Sequence, residues 1–268
     1  MSTPNGSPDS APLEVVFAEI AREGDRAALA TIVSAPGDEA AVGRKLLVRA
    51  DGAATGTLGD PELDSAAIEA ANELLWEERS ELRTVGDVGV FVDVTAPAPR
   101  LIAFGATDLA DPLCRAAKAA GMRPYVVDPR GAFATKERFP DAIDVISDWP
   151  EKAFQKIGAI DRATAICVLT HDPKLDDAAL AVALRSEAAY IGALGSRRAQ
   201  ADRRERLLAA GFGEEDLARI AGPAGLDIGA VTNEETAISL VAEIIAVRRN
   251  RPGGRLRDAR GRIHDIPA

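Results

Sequence analysis

Five short apolar runs in the second half of the chain, at residues 101–105, 124–128, 143–146, 164–169 and 190–194, limit what it can fold into. Most lack the polar alternation of a half-exposed strand, and they stop abruptly at polar residues. Such runs read as strands buried on both faces, as in a parallel sheet. Helical segments fall at 108–120, 175–185, 197–210 and 234–249. Strands spaced by helices build βαβ units, so the reading is a Rossmann-like, doubly wound α/β sheet. Ligands of open parallel sheets collect beyond the strand C-termini, which makes the polar residues there the first candidates for a site.

Before residue 96 the pattern differs. Residues 13–22 fit a short amphipathic helix, 27–33 a strand, 44–49 its hairpin partner, and 54–58 a third strand after the Asp51-Gly52 turn. Asp64 or Ser65 is placed to cap a helix over 66–77, and 88–94 reads as one more strand. Clusters of strands and helices without strict alternation predict a smaller N-terminal α+β domain over 1–95. Ala96-Pro97-Ala98-Pro99 is a stiff linker to the Rossmann-like domain, placed at 100–250, and 251–268 reads as a polar tail. Residues 1–12 carry too little apolar surface to order themselves.

With 268 residues the chain can bury a full core, and since only 4% are aromatic, aliphatic side chains must supply it. A formal net charge of −10 argues against a nucleic-acid scaffold, because phosphate binding draws on dominant clusters of Lys and Arg. The absence of a long apolar segment or a signal-peptide pattern leads to the expectation of a cytoplasmic protein without membrane contact. Cys114 and Cys167 each lie in an apolar run and read as unpaired packing residues.

Four stretches carry chemistry. Gly105-Ala106-Thr107-Asp108 stands at the first strand-to-helix turn, where a dinucleotide site needs Gly-x-Gly so that bare backbone can approach a pyrophosphate. Thr107 takes the second glycine place and crowds that approach. Asp128, roughly 20 residues on, matches a ribose-binding carboxylate, with Arg130 beside it to meet a phosphate; Asp128 also reads as a plain turn residue. In Thr170-His171-Asp172, His171 can shuttle a proton, bind a metal or donate to an anion, but the only other histidine is His264 and zinc ligation lacks partners. Asp172 is equally a helix cap. In Gly192-Ala193-Leu194-Gly195-Ser196-Arg197-Arg198, Ser196 is a natural N-cap and Gly195 lets backbone approach a ligand. Arg197 and Arg198 oppose the helix dipole on the first turn, a mismatch that a bound anion removes. Gly225-Leu226-Asp227-Ile228-Gly229 precedes a capping box at Thr232 and Glu235, and Asp227 is placed to line the same crevice.

Taken together, Asp128-Pro129-Arg130, Arg138-Phe139-Pro140, Leu169-Thr170-His171-Asp172, Gly192-x-x-Gly195-Ser196-Arg197-Arg198, Gly225-Leu226-Asp227-Ile228-Gly229 and Glu235-x-Ala237-Ile238-Ser239-x-x-x-Glu243-Ile244-Ile245 resemble the xanthine dehydrogenase accessory protein family of XdhC/CoxF type. The likeness runs in order through the C-terminal half, and 29–33 and 45–59 match the family's other domain more loosely. The resemblance implies a protein that binds molybdenum cofactor, as molybdopterin or its cytosine dinucleotide. It implies protection of that cofactor while a cysteine desulfurase partner exchanges an oxo for a sulfido ligand. Delivery to an apo xanthine or carbon monoxide dehydrogenase-type enzyme follows, which makes the protein a maturation chaperone rather than an oxidoreductase. The chain departs from the family pattern with Gly105-Ala106-Thr107 for Gly-x-Gly, Gly59-Asp60-Pro61 for Gly-Gly-Cys, and Val231 and Asn233 for Arg and Pro. An N-terminal domain that binds partners rather than metal fits these losses.

Residues and resemblance converge on a pterin phosphate seated at the Ser196 helix start and held by Arg197 and Arg198. His171 and Asp172 then face the pterin or metal end, and Gly105, Asp128, Arg130, Thr170, Gly195 and Asp227 complete the expected lining. The competing expectation, resting on the βαβ unit and Asp128, is an NAD(P)-dependent oxidoreductase, and a non-catalytic nucleotide sensor is a third. Oligomeric state is open, a homodimer included.

Overall fold

The structure, a computed structural model, describes residues 11–259, so the expectations for 1–10 and 260–268, His264 among them, lie outside the described residues. The chain divides into two compact units, Met1–Pro97 and Ala98–Ala268.

In the first unit, β1 (Ala27–Ser34), β2 (Lys45–Arg49), β3 (Ala54–Gly56), β4 (Glu81–Val85) and β5 (Val88–Thr95) form an antiparallel sheet in the order β3-β2-β1-β5-β4. Alternation along the central β1 feeds two cores. Ala28, Ala30 and Ile32 pack with Leu46, Val48, Val90 and Val92 against α2 (Pro61–Glu77). Ala27 and Leu29 join Leu47 and Ile20 under α1 (Leu13–Glu23). The third strand is shorter than the sequence pattern suggests, and α2 begins at Pro61 rather than 66. Its cap is Asp60, not Asp64 or Ser65: Asp60 Oδ1 accepts from the Glu62 and Leu63 amides at 2.9 Å, with Pro61 in the first helical position. Asp64 instead accepts from Thr57 Oγ1 and the Leu58 amide, tying the exit of β3 to the helix.

In the second unit, β6 (Arg100–Phe104), β7 (Arg123–Val127), β8 (Asp144–Ile146), β9 (Thr164–Val168), β10 (Tyr190–Ala193) and β11 (Ile220–Ala221) form one parallel sheet in the order β11-β10-β9-β6-β7-β8. The winding reverses between β6 and β9, which is the doubly wound Rossmann arrangement. Leu101, Ala103, Val126, Ala165 and Cys167 face α3 (Ala110–Ala119) and α8 (Asn233–Arg248). Ile102, Phe104, Val127, Ile166 and Val168 face α4 (Pro150–Ile157), α5 (Pro173–Leu184) and α6 (Arg197–Ala209). Both faces are apolar, so the strands read as nearly unbroken apolar runs. Cys114 and Cys167 are buried and unpaired. A short α7 (Glu214–Ala218) leads into β11. Past α8, residues 251–259 are exposed, and Gly253 passes close to the loop before α8: a Cβ there would lie 2.9 Å from Leu226 Cδ2. Among the described residues no helix is long and apolar enough to cross a membrane.

Candidate functional site

The C-terminal ends of β10, β9, β6 and β7 follow one another along a single edge of the parallel sheet. Gly195, Ser196, Arg197 and Arg198 follow β10, Thr170, His171 and Asp172 follow β9, Gly105 follows β6, and Asp128 and Arg130 follow β7. Asp227 follows β11, beyond β10 on the same edge.

At the switch point the loops are drawn tight. Asp128 is 0% exposed. Its Oδ1 accepts from the Arg130 amide and Nε, both at 2.9 Å; its Oδ2 accepts from the Ala106 amide at 2.9 Å and Arg130 Nη2 at 2.7 Å. Burial pushes the carboxyl up, but the Arg130 guanidinium and the two amides outweigh it and hold the group below the ordinary carboxylate range. Four donors fill the acceptor sites of a carboxylate, so Asp128 as arranged fastens the β6 turn to the β7 loop and has no lone pair free for a ribose hydroxyl. Arg138 grips the same turn, with Nη1 donating to the Ala106 carbonyl at 3.0 Å and Nη2 to Asp108 at 3.3 Å. Gly105 has a φ of 112°, and a Cβ there would lie 2.4 Å from Thr170 Cγ2. Only glycine lets the β6 and β9 loops pass this closely. The cavity lined by Phe104, Gly105, Asp128, Pro150, Thr170 and Leu175, among others, has room for about one water molecule.

β9 and β10 run in register from Ala165 opposite Tyr190 to Val168 opposite Ala193, and the Leu194 amide extends the ladder to the Val168 carbonyl at 3.0 Å. Two loops therefore emerge side by side. Asp172 caps α5, accepting from the Lys174 amide at 3.0 Å, and Ser196 caps α6, accepting from the Ala199 amide at 3.3 Å. His171, Asp172, Ser196, Arg197 and Arg198 are all exposed. The first turn of α6 holds no acidic residue, and among the described residues neither Arg197 nor Arg198 has a hydrogen-bond or ion-pair partner.

The side chains at these two strand ends form an exposed shelf. The space beneath is filled by a network that joins Thr170 to Asp176, Arg203 and Gln200, three side chains that sequence reasoning misses. Thr170 Oγ1 donates to Asp176 Oδ1, and Arg203 Nη2 donates to Asp176 Oδ2 at 2.9 Å and to the Leu194 carbonyl at 3.0 Å. Gln200 Nε2 donates to the Ala193 carbonyl at 3.0 Å. The signal available in the sequence was a charge on the apolar face of each helix: Asp176 precedes Ala179 and Leu180 by three and four residues, and Arg203 precedes Leu207 by four.

The loop that carries Asp227 is pinned at its start. Glu243 on α8 accepts from Tyr190 Oη at 2.5 Å and from the Gly225 amide at 2.7 Å, and Ser239 Oγ donates to the Leu226 carbonyl at 2.6 Å. Asp227 itself is exposed. The capping box forms as the sequence indicates: Glu235 accepts from the Val231 and Thr232 amides, which hold its carboxyl below the ordinary range, and its own amide donates to Thr232 Oγ1.

Two family models match the chain, the XdhC Rossmann domain over residues 101–244 and the XdhC and CoxI family over 20–86. The chain is 30% identical over 242 residues to the uncharacterized protein YqeB of Escherichia coli, covering 85% of this chain and 44% of that protein. It is 36% identical over 160 residues to a probable xanthine dehydrogenase subunit from Bacillus subtilis, covering 60% and 46%. The molybdenum cofactor insertion chaperone PaoD of Escherichia coli is 34% identical over 89 residues, 33% of this chain and 28% of PaoD. Among solved structures, a xanthine dehydrogenase from Bacillus halodurans superposes with a TM-score of 0.61 at 26% identity, covering 87% of this chain and 65% of that one. The chain thus spans less than half the length of these curated relatives. With one family model matching within each compact unit, in order, this chain belongs to the XdhC and CoxI family.

Proposed function

We propose that this protein binds molybdenum cofactor as cargo and serves as an accessory factor in the maturation of a xanthine dehydrogenase-type molybdoenzyme. The observation that carries the reading is the start of α6. Arg197 and Arg198 stand there exposed and without protein partners among the described residues, on a helix end whose partial positive charge they oppose. A phosphate ester relieves that opposition and accepts from guanidinium and backbone together. Family membership supports the reading, as do the names of PaoD and the Bacillus subtilis relative.

On this reading the cofactor, as molybdopterin or its cytosine dinucleotide, sets its phosphate against Ser196, Arg197 and Arg198. His171 and Asp172, on the adjoining strand end, face the pterin or metal end. Gly195 and Asp227 flank the seat on the β10 and β11 sides; Thr170, Gly105, Asp128 and Arg130 continue the edge toward β7. A cysteine desulfurase partner supplies the sulfido ligand while the cofactor is held, and an apo xanthine or carbon monoxide dehydrogenase-type enzyme receives it. An NAD(P)-dependent oxidoreductase is less well supported, since the carboxylate it would use is filled by Arg130 and the Ala106 amide.

Titration of the purified protein with molybdenum cofactor, beside an R197A/R198A double variant, tests the seat. Charge-assisted hydrogen bonds contribute about 1.5–3 kcal/mol each, so a loss of affinity of roughly tenfold or more is expected. Undiminished affinity removes the phosphate role. In a thermal-shift panel, the cofactor is expected to stabilise the folded state and NAD and NADP to leave it unchanged; the reverse pattern would favour the oxidoreductase.

A further inference from the structure

Beneath the exposed shelf two charges are kept out of water. Asp176 near the start of α5 and Arg203 midway along α6 are each 3% exposed and meet at 2.9 Å. An apolar pair of similar volume is often as stable as a buried ion pair or more so, and packing alone therefore does not account for them. Their contacts are specific. Asp176 accepts from Thr170 Oγ1, and that same oxygen accepts from the Asp172 amide at 3.4 Å. Arg203 donates through Nη2 to the Leu194 carbonyl and through Nη1 to Gln200 Oε1 at 2.5 Å. Gln200 Nε2 in turn donates to the carbonyls of Ala193, Leu194 and Gly195 at 3.0, 3.3 and 3.4 Å. Arg203 Nε is buried with no hydrogen-bond partner, so the guanidinium is placed for its two outer nitrogens and not for its own full satisfaction.

We infer that Asp176 and Arg203 are positioning residues that lock the loop carrying His171 and Asp172 to the loop carrying Ser196, Arg197 and Arg198. The pair fixes the spacing at which the two strand ends meet a ligand. Its binding consequence rests on the proposed cargo, while its mechanical consequence does not.

The test uses the full chain with Asp176→Asn, which keeps an acceptor for Thr170 but offers Arg203 no charge, and with Arg203→Met and Arg203→Lys. Amide hydrogen exchange without ligand is read first. Asp176→Asn is expected to speed exchange at Leu194, Ala199 and Gln200, residues Asp176 does not touch, by about tenfold or more, with β1 to β5 unchanged. Exchange that rises uniformly through β6 to β11, or does not rise, overturns the inference. Should Asp176→Asn fail to fold, the milder Arg203→Lys is read at Asp172 and Lys174, which Arg203 does not touch, with the same expected rise and the same overturning outcomes.

Titration with molybdenum cofactor is read second, at a temperature where every variant is folded. Asp176→Asn and Arg203→Met are expected to bind roughly tenfold more weakly, with partial recovery in Arg203→Lys. A variant with loosened loops that binds like the wild type overturns the positioning role. Wild-type protein that does not bind the cofactor removes the proposed cargo instead, and the exchange result alone then decides whether the two loops are coupled.

Discussion

Asp128 stays ionised at 0% exposure because Arg130 and the Ala106 amide reach it together, and this gives its stability contribution a sign in pH. A carboxyl held below its unfolded value of about 3.9 stabilises the fold above that pH and loses the contribution as pH falls through the lowered folded value. Asp128→Asn is therefore expected to destabilise the protein at pH 7 and to converge on the wild type as pH falls through the lowered folded value, as read by denaturant unfolding at successively lower pH. Hydrogen bonds to a charged group suggest about 1.5–3 kcal/mol, and solvent screening of the 48%-exposed Arg130 side chain places the loss at the lower end. Gly105→Ala forces a Cβ to 2.4 Å from a methyl of Thr170, which is 5% exposed, at a φ of 112°. A loss of about 1–3 kcal/mol in thermal unfolding is expected, with part of it regained when Thr170→Ser removes that methyl. Gly105, Asp128 and Thr170 were legible as candidates because their places follow from strand ends and turn spacing. Asp176 and Arg203 carried only the fainter signal of a charge on a helix's apolar face, which reads as solvated until the facing helix is known.

Side-chain acceptors cap four helix starts among the described residues, those of α2, α5, α6 and α8, and the sequence exposes some of them better than others. Thr232 and Glu235 announce their capping box by spacing, and Thr232→Ala is expected to cost about 0.5–2 kcal/mol, measured by urea unfolding. At α2 the sequence reading has Asp64 or Ser65 as the cap, whereas Asp60 takes that place. Pro61 decides for Asp60, since proline fits the first helical position and cannot continue a strand pairing. The parallel strands are legible because burial on both faces removes polar alternation. Shorter pieces escape for the opposite reason. β4 alternates Glu81 and Arg83 with Leu82, α4 has 8 residues, α7 has 5 and β11 has 2, too few for any period to stand out.

The two units divide the work unevenly, for every residue of the proposed seat belongs to the second. Cofactor added to the full chain is expected to slow hydrogen exchange along the C-terminal ends of β9 and β10 and to leave β1 to β5 unchanged; protection centred on the first unit would relocate the seat. The order of the parallel sheet bears on when such a seat exists. Each neighbouring pair in that sheet joins strands consecutive in the chain, except β6 and β9, which meet across β7 and β8. Gly105 stands on one bank of that seam and Thr170 on the other. A ribosome-bound chain that has released only its first three parallel strands owns half a harbour. On the proposed reading, both banks of the seat stand together only after α6 (Arg197–Ala209) has emerged and β9 has paired with β6.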